Sequence, residues 1–492
     1  MNPTNSSTIT TSNPPTAALR RLTLVWVGIM FLLFPILTLL GLLMRAGQAN
    51  WLHKLPPEYF YAVMTLHGLG MVGLWFVAAM AGLSYVLTRY VRVSLWVSRL
   101  ALAMTLLGVG LLIACTLVGR FGAGWYFLYP LPLRSGGAWP AWATGAFFAA
   151  IGVLGVGWLI WVIDLLRAVS RRYPLNAALA WHYLRGRTEP EVPPVILITT
   201  VSLIALLAAL TSGVIVLVLF LTEWLKSGFT NDALLMKNLT FFFGHLLVNI
   251  TLYLGVAILY ELMPGYCGRP WKTNRNVAIA WNMVLLLVIF AFFHHLYMDF
   301  VQLRAFQVIG QITSYLQSVP AAVVTIFGLL ALVYRANVRW TLGSLLLFLG
   351  VLGWVIGGIG AVIDSTIVAN LRFHNMLWVP AHFHTYYLMG VVLMIMGAVY
   401  HICQELAPLP ENPQRTKVTV ALLSVGGYGF LLMFYYAGAH SVPRRYADYP
   451  EILAKGTTSA QVSTFFIVLF LAGLALYLWE TGKRWRKALF LP

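Results

Sequence analysis

Twelve runs of predominantly apolar residues, each about twenty or more long, recur along this chain and limit what it can become. They fall at roughly 22–44, 59–88, 96–118, 141–166, 195–222, 234–263, 277–302, 308–334, 340–368, 376–402, 417–438 and 461–480. Inside a bilayer the backbone must satisfy its own hydrogen bonds, and a run of this length does so as a helix. Composition agrees, with 60% apolar and only 9% charged residues. The expected fold class is therefore all-α: a polytopic bundle of twelve transmembrane helices in the cell membrane.

The loops between the runs are short, and none is large enough to bury a core of its own. Residues 22–482 are expected to form one continuous twelve-helix domain. Residues 1–21 read as a Ser/Thr/Pro-rich disordered tail without the pattern of a signal peptide, and residues 483–492 as a basic cytoplasmic tail. Cys115, Cys267 and Cys403 are far apart, which argues against a disulfide framework or a thiolate-bridged metal pair. The net charge of +18 is distributed as membrane topology demands. Arg167, Arg171, Arg172, Arg185 and Arg187 crowd one loop, Arg269, Lys272 and Arg275 another, and Lys483, Arg484, Arg486 and Lys487 the C-terminal end. By the positive-inside rule both termini are expected in the cytoplasm, and no nucleic-acid partner is expected.

Histidine stands out against this background. His67 in "TLHGLGMV" lies about 12 Å from the outer end of the second run, and His245 in "FFFGHLLVN" about 16 Å into the sixth. His294 and His295 in "FFHHLYMDF" lie about 10 to 12 Å into the seventh, and His382 and His384 in "PAHFHTYY" about 9 to 12 Å into the tenth. Six histidines on four helices thus share one layer near the outer third of the bilayer. Polar groups at such depth are costly and mark cofactors or conduction paths, and imidazole is a favoured ligand for iron, copper and zinc.

Spacing divides the six. Residues two apart on a helix differ by about 200° around its axis, so His382 and His384 point to opposite sides and serve two centres. Neighbours differ by about 100°, so His294 and His295 can converge on one metal that His245 approaches from another helix. Three imidazoles leave a coordination position open for a small substrate.

This set, one His on the second helix, GH on the sixth, HH on the seventh and HFH on the tenth, resembles the catalytic subunit of the heme–copper oxidase superfamily, B-type-like, over nearly the whole chain. The superfamily includes oxygen reductases and nitric oxide reductases. The resemblance implies that His67 and His384 are axial ligands of a low-spin heme and that His382 is the proximal ligand of a high-spin heme. It also implies that His245, His294 and His295 hold copper opposite that iron. Arg444 and Arg445 in "VPRRYADYP" resemble the family's propionate-binding arginines, as guanidinium suits carboxylate. His374 and Asn375 resemble its HN pair near a propionate, and "GAGWYFLYPLP", with Trp125, resembles a loop beside the hemes.

Departures from the family pattern bear on the substrate. The lysine found in A-type oxidases four residues after the eighth-helix proline is Val324 here, following Pro320. The active-site tyrosine seat four residues after the sixth-helix histidine holds Asn249, and the alternative seat on the seventh helix holds Val288. Splitting dioxygen in one step takes four electrons, of which the tyrosine gives one, whereas coupling two NO molecules to N2O takes two. The expectation is a nitric oxide reductase in which the Asn249 amide faces an N–O intermediate. A terminal oxygen reductase, a cytochrome oxidase forming water, is the alternative. The iron-type nitric oxide reductases carry glutamates beside the metal; none sits there, so copper is expected rather than non-heme iron. The partner implied is an electron-donating subunit, copper-bearing or of cytochrome c type, or quinol. Tyr260, with Thr313, Ser314, Tyr315, Ser318 and Thr325, resembles a proton path, while Asp299 and Asp364 are expected near propionates or interfacial water.

Overall fold

The computed structural model describes residues 16–491. Among the described residues, twelve helices are long and apolar enough to cross a membrane: α1 Ala17–Gln48, α2 Pro57–Leu87, α3 Leu95–Val118, α4 Ala141–Arg172, α5 Pro194–Leu225, α6 Ala233–Cys267, α7 Arg275–Leu296, α8 Arg304–Val333, α9 Leu342–Asp364, α10 Trp378–Leu406, α11 Pro413–Ala439 and α12 Glu451–Leu489. All twelve expected spans are present, and the chain is a multi-pass membrane protein. Among the described residues no strand forms; a single bridge joins Met376 to Pro443.

Helix starts follow side-chain chemistry. Thr16, Asp232 and Asn274 each accept a backbone N–H of the first turn, at Leu19, Leu235 and Val277. Thr341 and Ser344 close a reciprocal capping box at the head of α9. These caps satisfy donors that neither helix nor lipid provides for.

Burial is unequal, and its distribution positions the site. In the most apolar stretch of α2 and of α6, 78% of residues are buried, and in α10 83%, against 22% in α1. Three of the four histidine-bearing helices are thus interior, where lipid cannot reach. Glycine on α9 allows α10 to come close: a Cβ on Gly353 would stand 2.0 Å from the Met389 carbonyl oxygen, and one on Gly357 2.4 Å from the Tyr386 nitrogen.

Two histidine-bearing helices leave ideal α geometry where they carry function. The last turn of α7, Phe292–Leu296, tightens to 3-10 and holds His294 and His295. α10 widens to a π-helical stretch, Thr385–Val392, immediately after His384. Such irregular turns concentrate at functional sites because they re-aim side chains.

The ends of the domain differ from the sequence expectation. α1 begins at Ala17, inside the segment expected to be a disordered tail; residues 1–15 lie outside the described ones. Residues 483–489, expected as a basic tail, continue α12. The physical reason is anchoring: Arg484 is buried and bonded to Gln404 and Glu480, and Trp485 Nε1 donates to the Leu24 carbonyl at 2.7 Å. That last bond also brings the first and last helices together at one end of the bundle.

Candidate metal centre

Deep in the bundle, the imidazoles of His245 on α6 and of His294 and His295 on α7 come together with ligand atoms within 4.8 Å of one another. His245 Nδ1 faces His295 Nε2 at 3.3 Å, and His294 Nδ1 meets the Ser314 hydroxyl at 2.9 Å, which leaves His294 Nε2 free to face the group. The two neighbours lie on the 3-10 turn, which separates them by about 120° rather than 100°, yet both rings join the cluster. Their ring centroids are 4.2 Å apart. Three nitrogen donors with no carboxylate in the cluster, among the described residues, fit copper or zinc better than an oxygen-seeking ion.

A second pair lies beyond. His67 on α2 and His384 on α10 face each other with ring centroids 6.5 Å apart and planes 19° from parallel. Axial ligation of one iron by two imidazoles separates ring centroids by about 6 Å, so the gap fits one metal between them. Each ring is fixed through its other nitrogen: His67 Nδ1 bonds the Leu37 carbonyl at 2.8 Å and His384 Nδ1 the Pro380 carbonyl at 2.7 Å. Both Nε2 atoms are left for a metal between the rings. A Cβ on Gly41 would meet the His67 ring at 2.9 Å, so that close approach needs glycine.

His382, two residues before His384, turns away from that pair, as the helical spacing predicts. Its Nδ1 lies against the carboxylate of Asp364 at the end of α9. His382, the three-histidine cluster and the His67/His384 pair all border one cavity of about 1050 Å³. Small-molecule sites typically occupy about 300–1,000 Å³, so this space is large enough for a prosthetic group.

Asn249 lines the same cavity one turn along α6 from His245. Its Nδ2 donates to the His245 carbonyl at 2.8 Å and lies 3.4 Å from the His245 ring nitrogens. Its Oδ1 accepts from the hydroxyl of Tyr386 at 3.0 Å. Sequence reading did not find Tyr386. The available signal was its position four residues after His382, on the same face of α10.

Above the layer, the loop between α11 and α12 forms a roof. Arg444 N donates to the Asn375 carbonyl at 2.9 Å, and Leu377 N to the Val442 carbonyl at 2.9 Å, so the loop is pinned to the start of α10. Arg444 Nε is buried without a hydrogen-bond partner, and burial with Arg445 alongside lowers the guanidinium to about 10, so it remains a cation. Arg445 lies 4.1 Å over the ring of Tyr126, with φ +68°. Both arginines border the cavity, as do His374, Asn375 and Trp125. A cation with a buried Nε that lacks a protein partner, bordering this cavity, fits a carboxylate such as a heme propionate. His374 Nδ1 pairs with Asn370 Oδ1 at 3.2 Å; burial and Arg444 hold its pKa down to about 4, so it is neutral. Trp125 packs on Gly68, beside His67, and tilts against Phe383 at 5.8 Å.

The two acids expected near propionates or interfacial water each have a protein partner, and Asp364 borders the cavity. Asp299 pairs with Lys237 at 2.6 Å, and Asp364 is 6% exposed and set against His382. In the expected proton path, the Tyr260 hydroxyl meets Thr325 Oγ1 at 3.1 Å, and Ser314 serves His294. Tyr315 pairs with Thr366 and Thr313 with a carbonyl of its own helix, so the hydroxyls of α8 divide among separate tasks.

Comparison with known proteins places this arrangement. The family model for cytochrome c and quinol oxidase polypeptide I matches residues 21–475. Cytochrome c oxidase subunit 1 of Corynebacterium diphtheriae is 24% identical, covering 96% of this chain and 86% of the relative. A probable cytochrome c oxidase subunit 1-alpha of Streptomyces avermitilis is 26% identical over 92% of this chain and 78% of its own length. Against cytochrome c oxidase subunit 1 of Thermus thermophilus the identity is 25%, and the match spans 53% of this chain and 50% of the relative. The chain thus spans about half the length of several of the curated relatives it matches. Among solved structures, a heme–copper terminal oxidase dimer matches with a TM-score of 0.77 at 19% identity, covering 97% of this chain and 85% of that one. At that identity the likeness shows the fold.

Proposed function

The chain belongs to the heme–copper oxidase subunit I family, whose members bind hemes and copper, and from that premise we propose that it is the catalytic subunit of a membrane respiratory enzyme reducing dioxygen to water. His67 and His384 would hold a low-spin heme, His382 a high-spin heme, and His245, His294 and His295 a copper ion. Arg444 and Arg445 face the propionates. When bound, the hemes and copper relay electrons and give the gas its seat. Electrons enter from a copper-bearing or cytochrome c type subunit, or from quinol, and both termini lie in the cytoplasm.

The observation that supports dioxygen is the hydroxyl of Tyr386, 3.0 Å from Asn249 beside His245. Forming two waters takes four electrons and four protons, of which iron and copper, when bound at these histidines, would supply three electrons. Tyr386 supplies the remaining electron together with a proton, becoming a neutral phenoxyl that one later electron and proton restore. Asn249 orients that phenol by accepting its hydrogen bond. The relatives named as cytochrome c oxidase subunits support the same substrate.

A second reading, reduction of two NO to N2O and water, is favoured by one observation. Asn249 stands where the family's tyrosine would, with its Nδ2 toward the His245 ring. This reaction takes two electrons and two protons and needs no phenol. Metal and heme analysis of the purified protein, with O2 and NO consumption measured using one artificial donor, separates the two. Four electrons per O2 without released peroxide supports the first; rapid N2O formation with slow O2 uptake overturns it.

A further inference from the structure

Each ring in the histidine layer has a second nitrogen to place, and the partners are not alike. His67 and His384 give Nδ1 to neutral backbone carbonyls, and His294 gives Nδ1 to the neutral hydroxyl of Ser314. His382 alone of these four rings has a carboxylate: its Nδ1 lies against Asp364. Asp364 is buried, and neither its oxygens nor His382 Nδ1 has a hydrogen-bond partner, so two unsatisfied buried groups face each other.

The fold holds this pair in place. Asn370 Nδ2 donates to the Asp364 carbonyl at 2.8 Å, fixing the end of α9, and a Cβ on Gly360, one turn earlier, would stand 2.8 Å from the His382 Cβ. Backbone positions are thus set before the side chains meet. A buried carboxylate without a donor is costly, and the N–H of a neutral imidazole is the donor within reach.

We propose that Asp364 is a positioning residue for the ligand of the high-spin heme: it accepts the Nδ1 proton of His382, which leaves Nε2 bare toward the iron and fixes the ring's orientation. This rests on the reading of His382 as that ligand. A carboxylate acceptor strengthens the imidazole as a donor more than a carbonyl does. The effect favours ferric over ferrous iron and makes the iron more electron-rich, the condition that promotes O–O cleavage. The histidines therefore differ in what stands behind them: backbone carbonyls behind His67 and His384 and a carboxyl group behind His382.

The test is Asp364→Asn in the full chain with hemes bound, read by an optical redox titration and by the iron–histidine stretch in resonance Raman spectra. The expected result is a higher potential for the CO-binding heme and a lower stretching frequency, while the low-spin heme, an internal control, is unmoved. Full heme occupancy with unchanged potential and stretch overturns the proposal. If the Asn variant does not assemble, Asp364→Glu decides: retention of the heme with a near wild-type stretch supports a carboxylate role, and loss of the heme overturns it. If His382→Ala leaves the CO-binding heme and its stretch intact, the ligand reading itself has failed, an outcome distinct from failure of the Asp364 role.

Discussion

The hydroxyl of Tyr386 on α10 lies 3.0 Å from Oδ1 of Asn249 on α6, and the same amide donates through Nδ2 to the His245 carbonyl at 2.8 Å. A phenol from α10 thereby comes next to residue 249 of α6, which itself carries Asn, as residue 288 of α7 carries Val. Tyr386 is buried and borders the cavity that the metal-site histidines share.

Tyr386→Phe removes the hydroxyl and keeps the ring. Dioxygen turnover is expected to fall by about 10²-fold, with release of partly reduced oxygen. NO turnover, if the wild type shows any, should change little. Oxygen electrode traces with a peroxide assay check this, as does loss of a tyrosyl radical signal in electron paramagnetic resonance after peroxide treatment.

The opposed directions of His382 and His384 predict separable spectra. His384→Ala should abolish the low-spin bis-histidine spectrum and spare CO binding, and His382→Ala should do the reverse. Loss of the same species in both variants would contradict a centre on each side of α10.

Copper content should follow the three-histidine cluster. Alanine at His245, His294 or His295 is expected to reduce copper below one per chain in elemental analysis. Ser314→Ala, which removes the Nδ1 partner of His294, should weaken copper binding by about 10- to 100-fold in a competition with chelator. Full iron in place of copper in active protein would reject the metal assignment.

Close helix approach makes Gly357 sensitive. A methyl at this position would stand 2.4 Å from the Tyr386 backbone nitrogen. Gly357→Ala is expected to cost about 1–3 kcal/mol, seen as a lower Tm in detergent. Because the strain falls on the backbone of Tyr386, oxygen turnover should drop even where both hemes are retained.

Membrane physics made much of this legible from the chain alone. Twelve helices follow because apolar runs of this length have few other ways to satisfy their backbone, and the two-residue spacing of His382 and His384 sends them to opposite sides by helical geometry. The ends were less legible: α1 starts at Ala17 and α12 runs on to Leu489, since polar terminal residues there are held by contacts such as Trp485 with Leu24. Hydropathy does not register such contacts.

Tertiary structure decided the rest. Whether His67 and His384 stand at the spacing of two axial ligands depends on how α2 meets α10. Asp364 reaches His382 because glycines on α9 let α10 close in, and Tyr386 reaches Asn249 from a residue 137 positions away. Periodicity along one helix tells which face a side chain takes, and so the histidines could be sorted from sequence. What stands opposite that face is set by the packing of distant segments, and for that reason the phenol beside Asn249 and the carboxylate behind His382 emerged only from the fold.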